Sequence, residues 1–298
     1  MIMFVDMNSY FASCEQQVNY WLRGRPVGVC VYTGKYGCII SPSVEAKKQG
    51  VKTGMRLNDA IKLCPELVPL ETNPTRYRDF HVKIINILKK YSQDVIPKSI
   101  DEAIIDLTNY QLMYKSIADL TKLAYTIKKD IKDHVGDWLM CSIGIAPNAF
   151  LAKLGSDVKK PDGLTVIMPE NIDSILATLK LTDLPGIGHG MYERLVHAGI
   201  RTPLELRHAK PTLIQAACKS VVGYYWHQRL NFKTVEVDVA KGAYKSMQAM
   251  RQISAEKRRD INNLHALLTA LCMTLEKRMM NQGVFCKEIH FFAKHEHA

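Results

Sequence analysis

Two carboxylates stand side by side in an apolar stretch, KSIDEAIIDL (98–107), where Ile100 precedes Asp101-Glu102 and Ala103-Ile104-Ile105 follow. Adjacent acidic side chains cannot both stay ionised in a buried strand unless a cation compensates them. An exposed hairpin turn, a helix cap or an ion pair with Lys98 would also account for the pair. A tight turn is disfavoured, because Asp-Glu lacks the Gly or Asn that such turns use. A third carboxylate, Asp6, follows the fully apolar MIMFV (1–5), where a lone charge has little structural use. Three carboxylates at strand ends of one sheet could hold two divalent cations about 4 Å apart, which suits phosphoryl transfer. Magnesium fits such a site, since it takes few carboxylates and completes its octahedron with phosphate oxygens and water.

The elements that must carry these groups can be read from periodicity. MIMFV reads as a buried strand, followed by a helix from Asn8 to about Tyr20 with Phe11, Cys14 and Val18 on one face. Residues 26–32 and 38–41 are strand-like on either side of a TGKYG turn (33–37). Short helices are expected over 44–49 and 58–64, stopped by Gly50 and Pro65. Tyr77, Phe80, Ile84, Ile87 and Tyr91 mark an amphipathic helix over 76–93, and Ile117, Leu120, Ala124, Ile127 and Ile131 another over 116–134. Two β-like stretches flank Asp101-Glu102. A strand over 139–146, a helix capped by Asn148 and running to about 158, and a strand over 164–167 complete this mixed region. Residues 169–232 read as short helices with Pro and Gly stops, and 233–245 as a polar connector. The last part is expected to hold a strand near Met247, a helix over 255–282 with Ile261, Leu264, Leu268, Leu271, Leu275 and Met279 on one face, and a strand over 288–293. The fold class is α+β.

The chain of 298 residues suits two or three compact units, and 47% hydrophobic residues suffice for real cores. A net charge of +11 points to an anionic partner, nucleic acid first. No apolar run reaches the length of a membrane span, and the N-terminus has neither the basic region nor the cleavage site of a signal peptide. The eight cysteines form no CxxC pair and read as reduced, buried thiols of a cytosolic protein. The ten histidines show no HxxxH or HExxH pairing, so no zinc is expected. Trp21, Trp138 and Trp226 are expected in the core.

Five segments resemble, in order and at matching separations, the signatures of the Y-family of translesion DNA polymerases. They are VDMNSYFASCE (5–15), VEAKKQGVKTGM (44–55), SIDEA (99–103), SIGIAPNAFLAKLGSDVKKPDG (142–163) and LPGIGHGMYERLVHAGIRT (184–202). FASCE and the EAK variant look closest to the polymerase V catalytic subunit, while SIGIAPN…KPDG looks equally like the polymerase IV branch. The resemblance implies a right-hand polymerase: a mixed-sheet palm (1–23 and 75–167), small fingers (24–74), a helical thumb (168–234), a linker (235–245) and a partial little finger (246–298). It implies template-directed addition of dNTPs to a primer 3′ end, opposite damaged or undamaged template, with primer-template DNA and dNTP as partners. The alternative is a non-catalytic DNA-binding member or an inactive fragment. A nucleotide cyclase, whose palm shares the paired carboxylates, is disfavoured by the +11 charge and the helix-hairpin-helix pattern.

By the same resemblance Asp6, Asp101 and Glu102 are the catalytic metal ligands, joined by the main-chain carbonyl of Met7. They would hold two Mg²⁺ ions, with Mn²⁺ as a substitute. Phe11 would be the steric gate under the sugar, and amides near Tyr10 and Phe11 would meet the triphosphate, as a strand-to-helix turn offers unpaired donors. Ser41 and Lys47 would grip the triphosphate, Lys47 as a point charge. Val44 stands where relatives often carry a Tyr and cannot hydrogen-bond. Lys160 would be a second phosphate cation, and Cys38 and Ile40 a small-residue roof over the nascent base pair. In the helix-hairpin-helix pattern, Gly186 and Gly188 would turn backbone amides toward a DNA phosphate, a contact without sequence preference. A family little finger has four strands and two helices, so about half of it is expected to be absent here, with weaker DNA grip as the result. The clamp-binding C-terminal peptide, through which a sliding clamp would be a partner, is expected to be absent too. The resemblance further implies a cytoplasmic, nucleoid-associated monomer.

Overall fold

The computed structural model describes residues 1–34, 37–233, 235, 246–251, 253 and 260–293. The chain divides into two compact units, Met1–Val235 and Glu236–Ala298. In order, the mixed region of the first unit contains β1 (Ile2–Met7), α1 (Tyr10–Val18), β2 (Val27–Cys30), β3 (Ile39–Pro42), α2 (Val44–Lys48), α3 (Leu57–Leu63) and β4 (Val68–Glu71). It continues with α4 (Pro74–Leu88), β5 (Val95–Pro97), β6 (Glu102–Asp106), α5 (Ile117–His134), β7 (Cys141–Ala146), α6 (Ala149–Val158) and β8 (Leu164–Val166). The helical region adds α7 (Ile172–Leu176), α8 (His189–His197), α9 (Pro203–His208), α10 (Pro211–Cys218) and α11 (Val221–Leu230).

Five strands form one sheet in the order β5-β6-β1-β7-β8, with β1 at its centre, antiparallel to both neighbours. Successive β1 side chains alternate between two covered faces. Met3, Val5 and Met7 join Tyr77 and Ile84 of α4 and Ile127 of α5 in one core. Phe4 joins Ile104 of β6 and Leu151 and Leu154 of α6 in another. Burial on both faces is why β1 is a continuous apolar run rather than an alternating one. The approach of α6 to β7 is close: a Cβ at Gly144 would lie 1.9 Å from the Ala152 carbonyl oxygen, so any side chain there would push the helix away. A second sheet, β3-β2-β4, carries α2 and α3.

Local rules place several boundaries. The Asn148 side chain accepts from the Leu151 amide at 2.9 Å and caps α6 as expected. Ser116 and Asp119 form a capping box at the start of α5. In the helical region Leu195, Leu206, Ile214 and Leu230 are fully buried.

Other expectations are corrected. Val18 is 55% exposed and Trp21 80% exposed, because the first helix ends at Val18 and a 3-10 turn carries Trp21 outward. Trp138 is half-buried and Trp226 buried. α4 stops at Leu88, short of the expected 93. β4 was not expected at all; its central Pro69 argues against a strand by propensity, and it is accommodated beside β2 in a parallel pair. Cys272 and Cys286 are exposed rather than buried.

The second unit contains α12 (Ile261–Gln282), capped by the Asp260 side chain and closed by Gly283 in the left-handed region (φ 61°). No described residue of this helix is buried. The expected strands near Met247 and over 288–293 are absent from the described residues, where neither segment has a ladder partner to satisfy its backbone. The expected helix start over 255–259, the connector over 236–245 and the middle of the TGKYG turn lie outside the described residues. Among the described residues no helix is long and apolar enough to cross a membrane.

Candidate active site

Register sets the site. In the β1–β6 ladder Asp6 lies directly opposite Glu102, so both side chains leave the sheet on the face covered by α6. Asp101 sits one residue before β6, in a bend. Its carbonyl accepts from the Met7 amide at 2.9 Å, and one of its carboxylate oxygens accepts from the Ser99 hydroxyl at 2.5 Å. The acidic pair is thus shared between two local structures, a bend for Asp101 and a strand for Glu102. The pairing with Lys98 that the sequence leaves open is not formed among the described residues.

Asp6 is only 5% exposed and needs a counter-charge. α6 and the segment after it supply two. Lys153 Nζ lies 2.5 Å from Asp6 Oδ2 and 2.7 Å from Glu102 Oε1. Lys160 Nζ lies 2.8 Å from Asp6 Oδ2 and 2.7 Å from Asp157. Asp157, one turn beyond Lys153 and 3.3 Å from it, ties the two lysines together. Burial works against the charge on Lys153, but its bonds to Asp6 and Glu102 win and hold its pKa above the ordinary lysine value. It stays an ammonium.

Lys153 and Asp157 were not singled out in the sequence, nor was Asn8. Lys153, Asp157 and Lys160 are spaced i, i+4, i+7 at the end of a helix whose other face is apolar, and that spacing was the available signal. Asn8 carries no pattern. It donates to Ser142 Oγ at 3.0 Å and accepts from the Asp162 amide at 2.7 Å, and so fixes the segment bearing Lys160 to the end of β1.

A cavity of about 480 Å³ opens above this cluster. Asp6, Met7, Asp101, Glu102, Lys153 and Lys160 line one side. Ile40, Ser41, Val44 and Lys47, from β3 and α2, line the other. Ser9 and Tyr10 line it where α1 begins. The first helical hydrogen bond there joins the Ser13 amide to the Ser9 carbonyl, so the amides of Tyr10 and Phe11 precede it. Loss of water and the nearby charge of Lys160 lower the Lys47 pKa below the ordinary lysine value, against the pull of Asp6 and Asp101.

Phe11, Cys38, Gly186 and Gly188 lie apart from the cavity lining. The Phe11 ring stacks on Tyr77 with centroids 4.4 Å apart. The Tyr10 side chain turns away and donates to the Tyr77 carbonyl at 2.7 Å, leaving its backbone at the helix start. Cys38 is half-buried and pairs with Arg56 in an isolated bridge. Gly186 needs its glycine, with φ +89° in a turn braced by Trp226, whose indole donates to the Pro185 carbonyl at 3.2 Å. Gly188 has an extended backbone and caps α8.

The donor types fit hard divalent cations: three carboxylates and a strand-end carbonyl, all oxygen. Asp6 and Glu102 already draw two ammonium groups, which shows that this part of the site demands positive charge. As they stand, no three acidic, His or Cys groups among the described residues are close enough to coordinate an ion. Lys153 would have to yield its place.

A mixed sheet with carboxylates at adjacent strand ends, a small second sheet facing them and a helical region with a glycine-rich turn define a recognisable class of fold. The chain belongs to that class: residues 5–157 match the impB/mucB/samB family, within the Y-family. It is 38% identical over 203 residues to a protein named DNA polymerase IV from Alkaliphilus oremlandii, covering 68% of this chain and 50% of that one. It is 38% identical over 208 residues to one of the same name from Streptococcus pyogenes, covering 69% and 56%. Among solved structures, an insertion ternary complex of Dbh DNA polymerase superposes with a TM-score of 0.71 at 30% identity, covering 79% of this chain and 68% of that one. DinB from Sulfolobus solfataricus superposes at 0.70 and 30% identity over the same shares of the two chains. The chain spans about half the length of the curated relatives it matches.

Proposed function

We propose that the chain is the catalytic part of a template-directed DNA polymerase of the translesion type. The observation that carries this reading is the register pairing of Asp6 with Glu102, beside Asp101, at the floor of a cavity whose far wall bears Lys47. The primer 3′-hydroxyl gives up its proton to solvent as its oxygen bonds to the α-phosphorus of a dNTP, the bond from that phosphorus to the bridging oxygen breaks, and pyrophosphate leaves with the electron pair. Asp6, Asp101, Glu102 and the Met7 carbonyl would hold two Mg²⁺ ions, or Mn²⁺, which when bound would lower the pKa of the attacking hydroxyl and stabilise the leaving oxygens. Lys47, Lys160, Ser41 and the first amides of α1 bind and orient the triphosphate. Phe11, held by its stack on Tyr77, excludes a 2′-hydroxyl, and Ile40 with Cys38 forms the roof.

In this reading the five-stranded sheet with α1 and α4–α6 is the palm, residues 24–74 are the fingers and α7–α11 the thumb, whose Gly186–Gly188 turn meets a DNA phosphate. The second unit is part of a little finger. The test is single-nucleotide primer extension with Mg²⁺ by wild type and Asp101→Ala, with primer-template affinity measured for both. Extension by wild type alone, with equal DNA binding, is the expected result. Extension by Asp101→Ala sinks the site assignment. Binding without extension by wild type would favour the binding-only alternative.

A further inference from the structure

We infer that His81 of α4 is a positioning residue that fixes the bend carrying Asp101 and thereby sets where that carboxylate points. This rests on the polymerase reading and extends it to a residue outside the cavity.

The bend is tied down on three sides. The amides of Lys98 and Ser99 donate to the Glu102 carbonyl at 2.9 and 3.3 Å, which folds the bend back on β6. The Met7 amide donates to the Asp101 carbonyl and ties it to β1. The third tie is to α4 and is made by a side chain: His81 Nδ1 lies 2.8 Å from the Ile100 carbonyl oxygen. A carbonyl only accepts, so Nδ1 carries the proton and donates.

The geometry gives this bond leverage. The Ile100 carbonyl and the Asp101 amide belong to one rigid peptide plane. Holding the oxygen holds the plane, and the plane fixes the direction in which the Asp101 side chain departs. Packing does not do this alone. A small void of about 10 Å³ lies behind the carboxylates, bordered by His81, Ile84, Val5, Met7 and Asp101. Its apolar wall residues, such as Val5 and Ile84, offer the plane no side-chain hydrogen bond, and the half-buried His81 is the directional contact from that side. Groups that orient metal-binding carboxylates typically matter by 10- to 100-fold in metal affinity or activity.

The experiment compares His81→Leu, His81→Gln and His81→Asn in the full chain. Asn places an N–H where Nδ1 stands, Gln places one where Nε2 stands, and Leu offers none. Mn²⁺ affinity is read by electron paramagnetic resonance, and the single-turnover extension rate is read at saturating dNTP. Primer-template affinity and the thermal midpoint serve as controls. Leu and Gln are expected to weaken Mn²⁺ binding ~10-fold and slow extension comparably, with DNA affinity unchanged. Asn is expected to stay within about twofold of wild type, a rescue that a merely space-filling role would not produce. An Asn variant as impaired as Leu overturns the proposal, as does a Leu variant equal to wild type. Should Leu fail to fold, Gln against Asn decides. Wild type that neither binds Mn²⁺ nor extends a primer overturns the polymerase reading itself and the role of His81 with it; an active wild type beside an unimpaired Leu variant overturns the His81 role alone.

Discussion

The two walls of the cavity are built on different terms. On the side of the five-stranded sheet the charged groups hold one another: Asp6, Glu102, Asp157, Lys153 and Lys160 form a continuous set of ion pairs, each within 3.3 Å of another. On the side of the three-stranded sheet Lys47 lines the cavity without an ion pair among the described residues, and Val44 beside it offers no polar atom. The charged groups of the first wall are fixed by one another before any ligand arrives, whereas the cation of the second has no such partner among the described residues. Chemistry that needs atoms fixed to within tenths of an ångström belongs on the first; grip that must open and close belongs on the second.

Breaking the first wall should therefore cost rate or stability, and breaking the second should cost affinity alone. The largest effect is expected from Asp6→Asn, which keeps the shape and removes the charge: single-turnover extension should fall ~1,000-fold or more, and a tenfold loss would show that Asp6 is dispensable to the chemistry. Lys153→Met leaves Asp6 and Glu102 with less compensation in the absence of metal. In EDTA the variant should lose about 2 kcal/mol of stability by urea titration, and Mg²⁺ should return most of it. Equal stability in EDTA would mean that the lysine is idle in the fold.

Lys47→Ala should raise the apparent Kd for dNTP ~10-fold while leaving the unfolding midpoint and the saturated rate nearly unchanged. A fall in stability would erase the distinction between the walls. The smallest effect is one of pH. Burial and Lys160 lower the Lys47 pKa, so its cation, which attracts the triphosphate, is lost at lower pH than for an ordinary lysine. Affinity for dNTP should thus fall a few-fold as pH rises from 7 to 10. Lys47→Arg, which stays charged, should hold its affinity further into that range. Parallel curves for the two would overturn the assignment of this fall to Lys47.

The first wall was largely legible in the sequence, and the reason is physical. A carboxylate after MIMFV and a pair inside SIDEAIID contradict their apolar surroundings, and such contradictions mark sites. Asn148 and the amphipathic patterns of α4 and α5 follow local rules that tertiary packing did not override. Lys153 and Asp157 stayed hidden because a lysine and an aspartate on a helix ordinarily face water; only the close approach of α6 at Gly144 turns them onto the carboxylates. β4 was missed because Pro69 speaks against a strand. In the second unit the helical pattern is present and its apolar face is left uncovered among the described residues. Leu264, Leu268, Leu271 and Leu275 do share a helical spacing, yet none of them is buried, since periodicity announces a face and says nothing about what covers it.

The central position of β1 carries a further consequence. Side chains along a strand alternate with a strict period of two, so a ladder distinguishes odd from even. Because β1 is bonded on both sides, two neighbours check that parity at once. Deleting one residue among Ile2–Val5 would put the residues before and after it out of step, so that either Asp6 or the apolar residues preceding it would face the wrong side, or both ladders would break. Such a register shift within a strand disturbs the core and the site together. The sheet thus acts as its own error detector, so that a chain able to complete this core has already delivered its carboxylate to the correct side.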